Sequence, residues 1–134
     1  MLRSIARNIG TDVSNQTLAN DANISTNTVA EYLDVLKNIY IYEPLYSWNT
    51  HVRSSISLRT SPKKYFADPS LAISILNINS KKLINDYNFV GFLFESMVIR
   101  DLRIYAELID AEIHYYRDNT GLEIDAIIEL PDGT

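Results

Sequence analysis

One stretch limits what this chain can become: FVGFLFESMVIRDLRIYAEL, followed almost at once by EIHYYRDNTGLEIDAIIEL. The first half has apolar residues at helical intervals and no proline, which predicts one long helix over 89–109. The second half is rich in β-branched and aromatic residues. It is divided by Asp118-Asn119-Thr120-Gly121, residues that favour a tight turn. A hairpin is expected, with strands over Ile113–Arg117 and Leu122–Leu130.

Two carboxylates sit oddly in this pattern. On the helix, Ser96, Arg100, Arg103 and Glu107 recur three or four residues apart and predict the solvent-facing stripe. Glu95 lies off that stripe, among Phe92, Val98, Ile99 and Leu102. An unpaired carboxylate buried there would be costly. Glu95 therefore needs a partner (Arg117, Lys63 or Lys64), a strand end to cap, or a chemical role. On the second strand, Leu122, Ile124, Ala126 and Ile128 alternate with Glu123, Asp125, Ile127 and Glu129, and Asp125 falls in the most apolar part. Glu123 and Glu129 read as its wet side. A helical glutamate and a strand aspartate suit a divalent cation held through oxygen atoms. Two carboxylates alone do not separate that reading from ordinary ion pairing.

The chain ahead of this stretch reads as a small helical module. Leu2, Ile5, Ala6 and Ile9 give a short helix ending at Gly10. Ser14 caps a second helix that carries Leu18, Ala19 and Ala22. Asn23-Ile24-Ser25 form a turn, in which Asn23 tolerates the left-handed conformation. Ser25 caps a third helix with Val29, Tyr32, Leu33, Leu36 and Ile39 at helical spacing. This is the spacing of a helix-turn-helix, with the small Ala19 at the crossing point. The outward face of the third helix offers Asn27 and Thr28 to DNA, beside Glu31 and Asp34, which repel phosphate. YIYEPLYSW and KKYFA then read as short strands. From Pro44 to Ala67 there is no acidic residue, whereas Arg53, Arg59, Lys63 and Lys64 fall in or beside the connecting loop. Three helices, a strand and a basic loop predict a winged helix whose wing is the nucleic-acid candidate. A solvated loop or a docking surface fits the same residues. Asp68-Pro69 and Ser80 are expected to start two further short helices, with a break over Asn85–Asn88.

Composition narrows the class. At 134 residues the chain is one ordinary domain or two very small ones. It has no cysteine and two histidines, His51 and His114, so it has neither a disulfide framework nor a histidine-rich zinc site. No signal peptide or membrane-length apolar run is evident. A cytoplasmic protein is expected. Residues 1–62 are neutral, with five basic and five acidic side chains. Residues 63–134 hold seven basic and twelve acidic ones, so the net charge of −5 belongs to that second part. An acidic second part argues against a general grip on nucleic acid there.

The stretches LRSIARNIGTDVS, TVAEYLDVL, SPKKYFADPSLA, GFLFESMVIRDLR and YYRDNTGLEIDAIIEL together resemble the C-terminal region, of unknown function, of bacterial and archaeal AAA-type P-loop ATPases. The resemblance covers nearly the whole chain in order. It implies an α/β (α+β) fold: a winged helix-turn-helix over 1–62, then an incomplete restriction-endonuclease-like domain over 63–134. It implies an ATPase domain ahead of Met1, in the same polypeptide, which would hold ATP. It matches Glu95 and Asp125 to the helix and strand carboxylates of a nuclease-like site, and makes them the catalytic and magnesium-holding residues of a complete protein. The Glu-x-Lys strand of that pattern should follow a turn at Pro131-Asp132-Gly133-Thr134 and is absent from the chain. So is any Gly-x-x-x-x-Gly-Lys-Ser/Thr phosphate loop. The chain therefore reads as a fragment that needs no cofactor itself: an accessory DNA- or partner-binding segment of an ATPase, without catalysis of its own. Two alternatives stay open, a magnesium-dependent nuclease completed by a further strand and a winged-helix transcriptional regulator. A homo-oligomer is compatible with all three, and no membrane partner is implied.

Overall fold

The computed structural model describes residues 1–48, 61–118 and 120–134. Arg53 and Arg59 of the expected wing lie outside them. The fold is α+β. Its elements run α1 (Leu2–Arg7), α2 (Asn15–Ala22), α3 (Thr26–Asn38), α4 (Ser70–Leu76), α5 (Ser80–Ile84), α6 (Tyr87–Glu107), β1 (Glu112–Arg117) and β2 (Glu123–Glu129). No helix among the described residues is long and apolar enough to cross a membrane.

Local chemistry sets most of the boundaries. The Ser14 hydroxyl accepts from the Thr17 amide at the start of α2, and that of Ser25 from the Thr28 amide at the start of α3, both at 3.1 Å. Asn23 closes α2 in the left-handed region at φ 53°. Three starts differ from expectation. Pro69 is the cap of α4 rather than its first residue, and the helix begins at Ser70. The cap of α5 is Asn79, whose side chain accepts from the Lys82 amide, and Ser80 is the first helical residue. The long helix begins inside the expected break, because the Asp86 carboxylate accepts from the Phe89 amide and caps it.

The segments expected as strands on either side of the basic loop are joined by backbone bridges. Tyr42 pairs antiparallel with Phe66, and Leu45 with Lys63. On its far side the first segment meets β1. The Tyr115 amide donates to Tyr46 O at 3.1 Å, and Ser47 bridges Tyr115 in parallel. β1 then pairs antiparallel with β2. Strand pairing thus runs without a break from 63–66 through 42–48 and β1 to β2. One buried cluster draws Ile5, Leu18, Val29 and Leu45 from the first 62 residues and Phe66, Leu93, Ile99 and Tyr115 from the rest.

The solvent-facing stripe expected on α6 is only partly exposed: Glu107 lies in solvent, whereas Ser96 and Arg103 turn inward. Ser96 is buried with its hydroxyl donating to Phe92 O at 2.8 Å, and Ile99 and Ala106 share that face. Arg103 also points inward and donates to the carbonyls of Glu43 and Pro44 at 3.2 and 3.0 Å. The strand-like segment presents carbonyls there, and a guanidinium satisfies them where an apolar residue would not. Tyr32 and Ile39, expected inward on α3, are exposed.

Candidate functional site

The bridges between 42–45 and 63–66 fix the site. Side chains alternate across an extended segment, so Lys63 and Tyr65 share one side. Both reach Glu95 on α6. The Lys63 ammonium donates to Glu95 Oε1 at 3.1 Å, and the Tyr65 hydroxyl donates to the same oxygen. The hairpin supplies two more carboxylates to that ammonium, Asp125 Oδ1 and Glu123 Oε1, each at 3.0 Å. The aromatic ring of Tyr115 lies 5.6 Å from the Lys63 nitrogen and adds a cation–π contact.

A bulge in the hairpin makes this convergence. His114 pairs with Ile127 and Tyr116 with Ile124, so both Asp125 and Ala126 lie opposite Tyr115. Glu123 and Asp125 can then meet Lys63 while the next residue, Ala126, still packs against the core. Unbroken alternation would have turned Ala126 to the opposite face. Leu122 and Ile124, expected inward, are exposed.

Burial grades across the cluster. The Lys63 side chain is 4 % exposed and that of Glu95 21 %, whereas Asp125 is 64 % exposed. Burial alone would make Lys63 release its proton more easily. The hydrogen bonds from Glu123 and Asp125, with the charge and hydrogen bond of Glu95, outweigh burial and hold its pKa above that of free lysine. Lys63 is therefore a permanent cation and does not serve as a base at neutral pH. The Tyr65 hydroxyl is pushed up in pKa, first by burial and then by Glu95, and stays protonated. A cavity of about 320 Å³ opens beside the cluster and is also lined by Gly10, Thr11, Asp12, Phe92 and Arg117. Gly10, at φ +75°, lets the end of α1 close against it: a Cβ there would stand 2.9 Å from Phe92 Cδ1.

The residues picked out in sequence divide as follows. Glu95 and Asp125 come together through Lys63, the second of the three partners the sequence offered Glu95. Arg117 pairs instead with Asp12 at 3.2 Å. Lys63 and Lys64 are both buried, so neither is a solvent-facing phosphate contact. The Lys64 ammonium donates to Pro62 O at 2.9 Å, and burial brings its pKa down to about 8 against the opposing charge of Asp12. Asn27 is exposed on α3, and Thr28 is half-buried with its amide engaged by Ser25. Tyr65 and Glu123 were not singled out from sequence. The signals were the i, i+2 spacing of Lys63 with Tyr65 and of Glu123 with Asp125.

Magnesium, expected for a complete nuclease-like site, would have to displace Lys63 from this arrangement. The chain's own ammonium holds the place between the carboxylates that a cation would take. Among the described residues no group of three or more His, Cys, Asp or Glu side chains is placed to hold a metal ion.

Comparison with known proteins gives two family matches, which divide the chain between residues 82 and 90. Residues 90–134 match a second domain of unknown function, DUF4143, which is found in C-terminal regions of AAA-type ATPases. An uncharacterised protein of Mycobacterium bovis and one of Mycobacterium tuberculosis are each 26 % identical over 113 residues, 84 % of this chain. The chain spans 25 % of the length of each of those relatives. No solved structure matches it. Residues 1–82 match the model of a domain of unknown function, DUF8612, over more than half of the length, and the chain belongs to that family.

Proposed function

We propose that this chain is an accessory module of a larger AAA-type ATPase, carrying contacts to the ATPase domain or to a partner and no chemistry of its own. The observation that carries this reading is the match of residues 90–134 to a domain found in such C-terminal regions. The Lys63 cluster supports it. One ammonium ties the region of the first family match to the helix and hairpin of the second, so displacement of one part is passed to the other. In this reading the first three helices and the paired segments 42–45 and 63–66 are a winged helix. Its α3 presents Asn27, with Glu31 and Asp34 beside it. Those acids, and the burial of Lys63 and Lys64, favour a protein partner over DNA.

The test uses two samples. The 134-residue chain should neither hydrolyse ATP nor cut duplex DNA with magnesium present. A longer natural protein carrying this module should hydrolyse ATP, and Lys63→Met should change its turnover while leaving nucleotide affinity alone. A longer protein without ATPase activity overturns the reading.

A magnesium-dependent nuclease is the second reading, favoured by the convergence of Glu95 and Asp125 on one point. It requires magnesium to displace the ammonium. Cleavage by the chain or by the longer protein that needs magnesium, and that disappears in both Glu95→Gln and Asp125→Asn, would establish it over the first.

A further inference from the structure

Helix α6 packs one face, which mixes apolar residues with Ser96 and Arg103, against the rest of the described chain. Leu93, Ser96, Ile99 and Ala106 are buried against the rest of the chain. On the opposite side, Tyr87, Val90, Phe94, Val98, Tyr105 and Leu108 recur at intervals of three, four and seven residues and remain open to solvent. Tyr87 is 80 % exposed, Phe94 62 % and Leu108 78 %. The stripe follows the full 21 residues of the helix, about 30 Å. Scattered exposed hydrophobics need no explanation, but a continuous apolar stripe of this length marks a contact surface.

We propose that two copies of this chain pair through this stripe, α6 against α6 across a two-fold axis near its midpoint. Area is the first argument. The stripe leaves on the order of 800 Å² of side chain in water, what one partner contributes to an interface of standard size. Charge is the second. The charged residue within the stripe is Asp101, and Arg100 pairs with it at 2.8 Å. The surface is thus close to neutral and does not repel its own copy. The edge of β2 that is unpaired among the described residues is the contrary case. It carries Glu123, Asp125 and Glu129, and a second copy laid along it would set carboxylate against carboxylate. Geometry is the third. Residues a heptad apart, as Tyr87 and Phe94 are, face a like helix along a seam, and an isologous contact needs only one such seam.

The experiment is the solution mass of the 134-residue chain by light scattering, with two variants. The wild-type chain should show twice the 15.3 kDa of one copy at tens of micromolar concentration. Phe94→Glu, at an exposed position, should weaken dimerisation by about tenfold or more, with unchanged circular dichroism, if it is a central anchor. The chain has no cysteine, so Met97→Cys, near the axis, gives a clean second readout. Mild oxidation should yield a disulfide-linked dimer. A monomer at hundreds of micromolar leaves the stripe to some other occupant and overturns the proposal. So does a dimer indifferent to Phe94→Glu, or one in which Met97→Cys gives no cross-link.

Discussion

Lys63→Met removes the cation that Glu95, Glu123 and Asp125 share and keeps most of the side-chain volume. Its cost can be worked from exposure. Taking one partner from a buried ion pair costs about 3–5 kcal/mol, chiefly because the other charge is stranded. Asp125 and Glu123, at 64 % and 37 % exposed, can rehydrate, so each contributes about 0–1 kcal/mol, as surface pairs do. Glu95, at 21 % exposed, is the one left stranded, with the Tyr65 hydroxyl as partial relief. The expected loss is about 3 kcal/mol, a large share of a marginal total. For a chain of this length that lowers the melting temperature by about 10 °C. Urea denaturation at pH 7 measures it, as a lower midpoint at unchanged slope. The double variant Lys63→Met with Glu95→Gln separates the mechanism from lost packing. With the stranded charge removed, it should recover about half or more of the loss. Because the Lys63 pKa is raised, its contribution is fully present below the ordinary lysine range and fades only above it. The difference between variant and wild type should therefore stay constant from pH 7 to pH 9. A loss under about 0.5 kcal/mol, the scatter of ordinary surface changes, or a double variant no better than Lys63→Met, would refute the idea that the ammonium neutralises Glu95.

Other consequences follow from single positions. Lys64 is held near pKa 8 in the folded chain against 10.5 unfolded, so folding carries the charge penalty in full below pH 8 and loses it as pH rises toward 10.5. Wild-type stability should climb from pH 8 to pH 10, and Lys64→Met should abolish that climb and stabilise the chain at pH 7, by up to about 3 kcal/mol. Gly10→Ala meets both a positive φ and the Phe92 ring, and should cost about 1–3 kcal/mol in the same denaturation assay. Ser25→Ala removes the acceptor for the Thr28 amide and should cost about 1 kcal/mol. Arg117→Ala breaks a half-exposed pair with Asp12 and should cost about 1 kcal/mol or less.

What the sequence disclosed depends on the range of the interaction. Ser14, Asn23 and Ser25 were legible because a cap is decided by hydrogen bonds within three residues. The start of α5 shifted by one because Asn79 and Ser80 are both competent caps, and nothing local decides between them. Glu95 announced that it needed a partner, and Lys63 was among three candidates. Choosing it required the register between 42–45 and 63–66, which pairs residues 18 and more apart. Glu123 was hidden for a related reason. A period of two assigns it to the wet side of β2, and the bulge at Asp125 and Ala126 changes which residues share a face.

Helix α6 shows how such a misreading arises and what it discloses. Polar residues three and four apart normally mark the wet face of a helix, and Ser96, Arg100, Arg103 and Glu107 obey that spacing. The rule assumes that the core offers only apolar surface. Here the core side of α6 meets the carbonyls of Glu43 and Pro44, so Arg103 is favoured there, and Ser96 satisfies itself on its own helix. With Ser96 and Arg103 drawn inward, the outward arc of the same helix is apolar from Tyr87 to Leu108 except at Asp101. An isolated helix of this kind would gain nothing by leaving those rings in water. Their exposure alongside internally satisfied polar residues argues that α6 is built to be covered on both sides: by the fold on one and by a second apolar surface on the other.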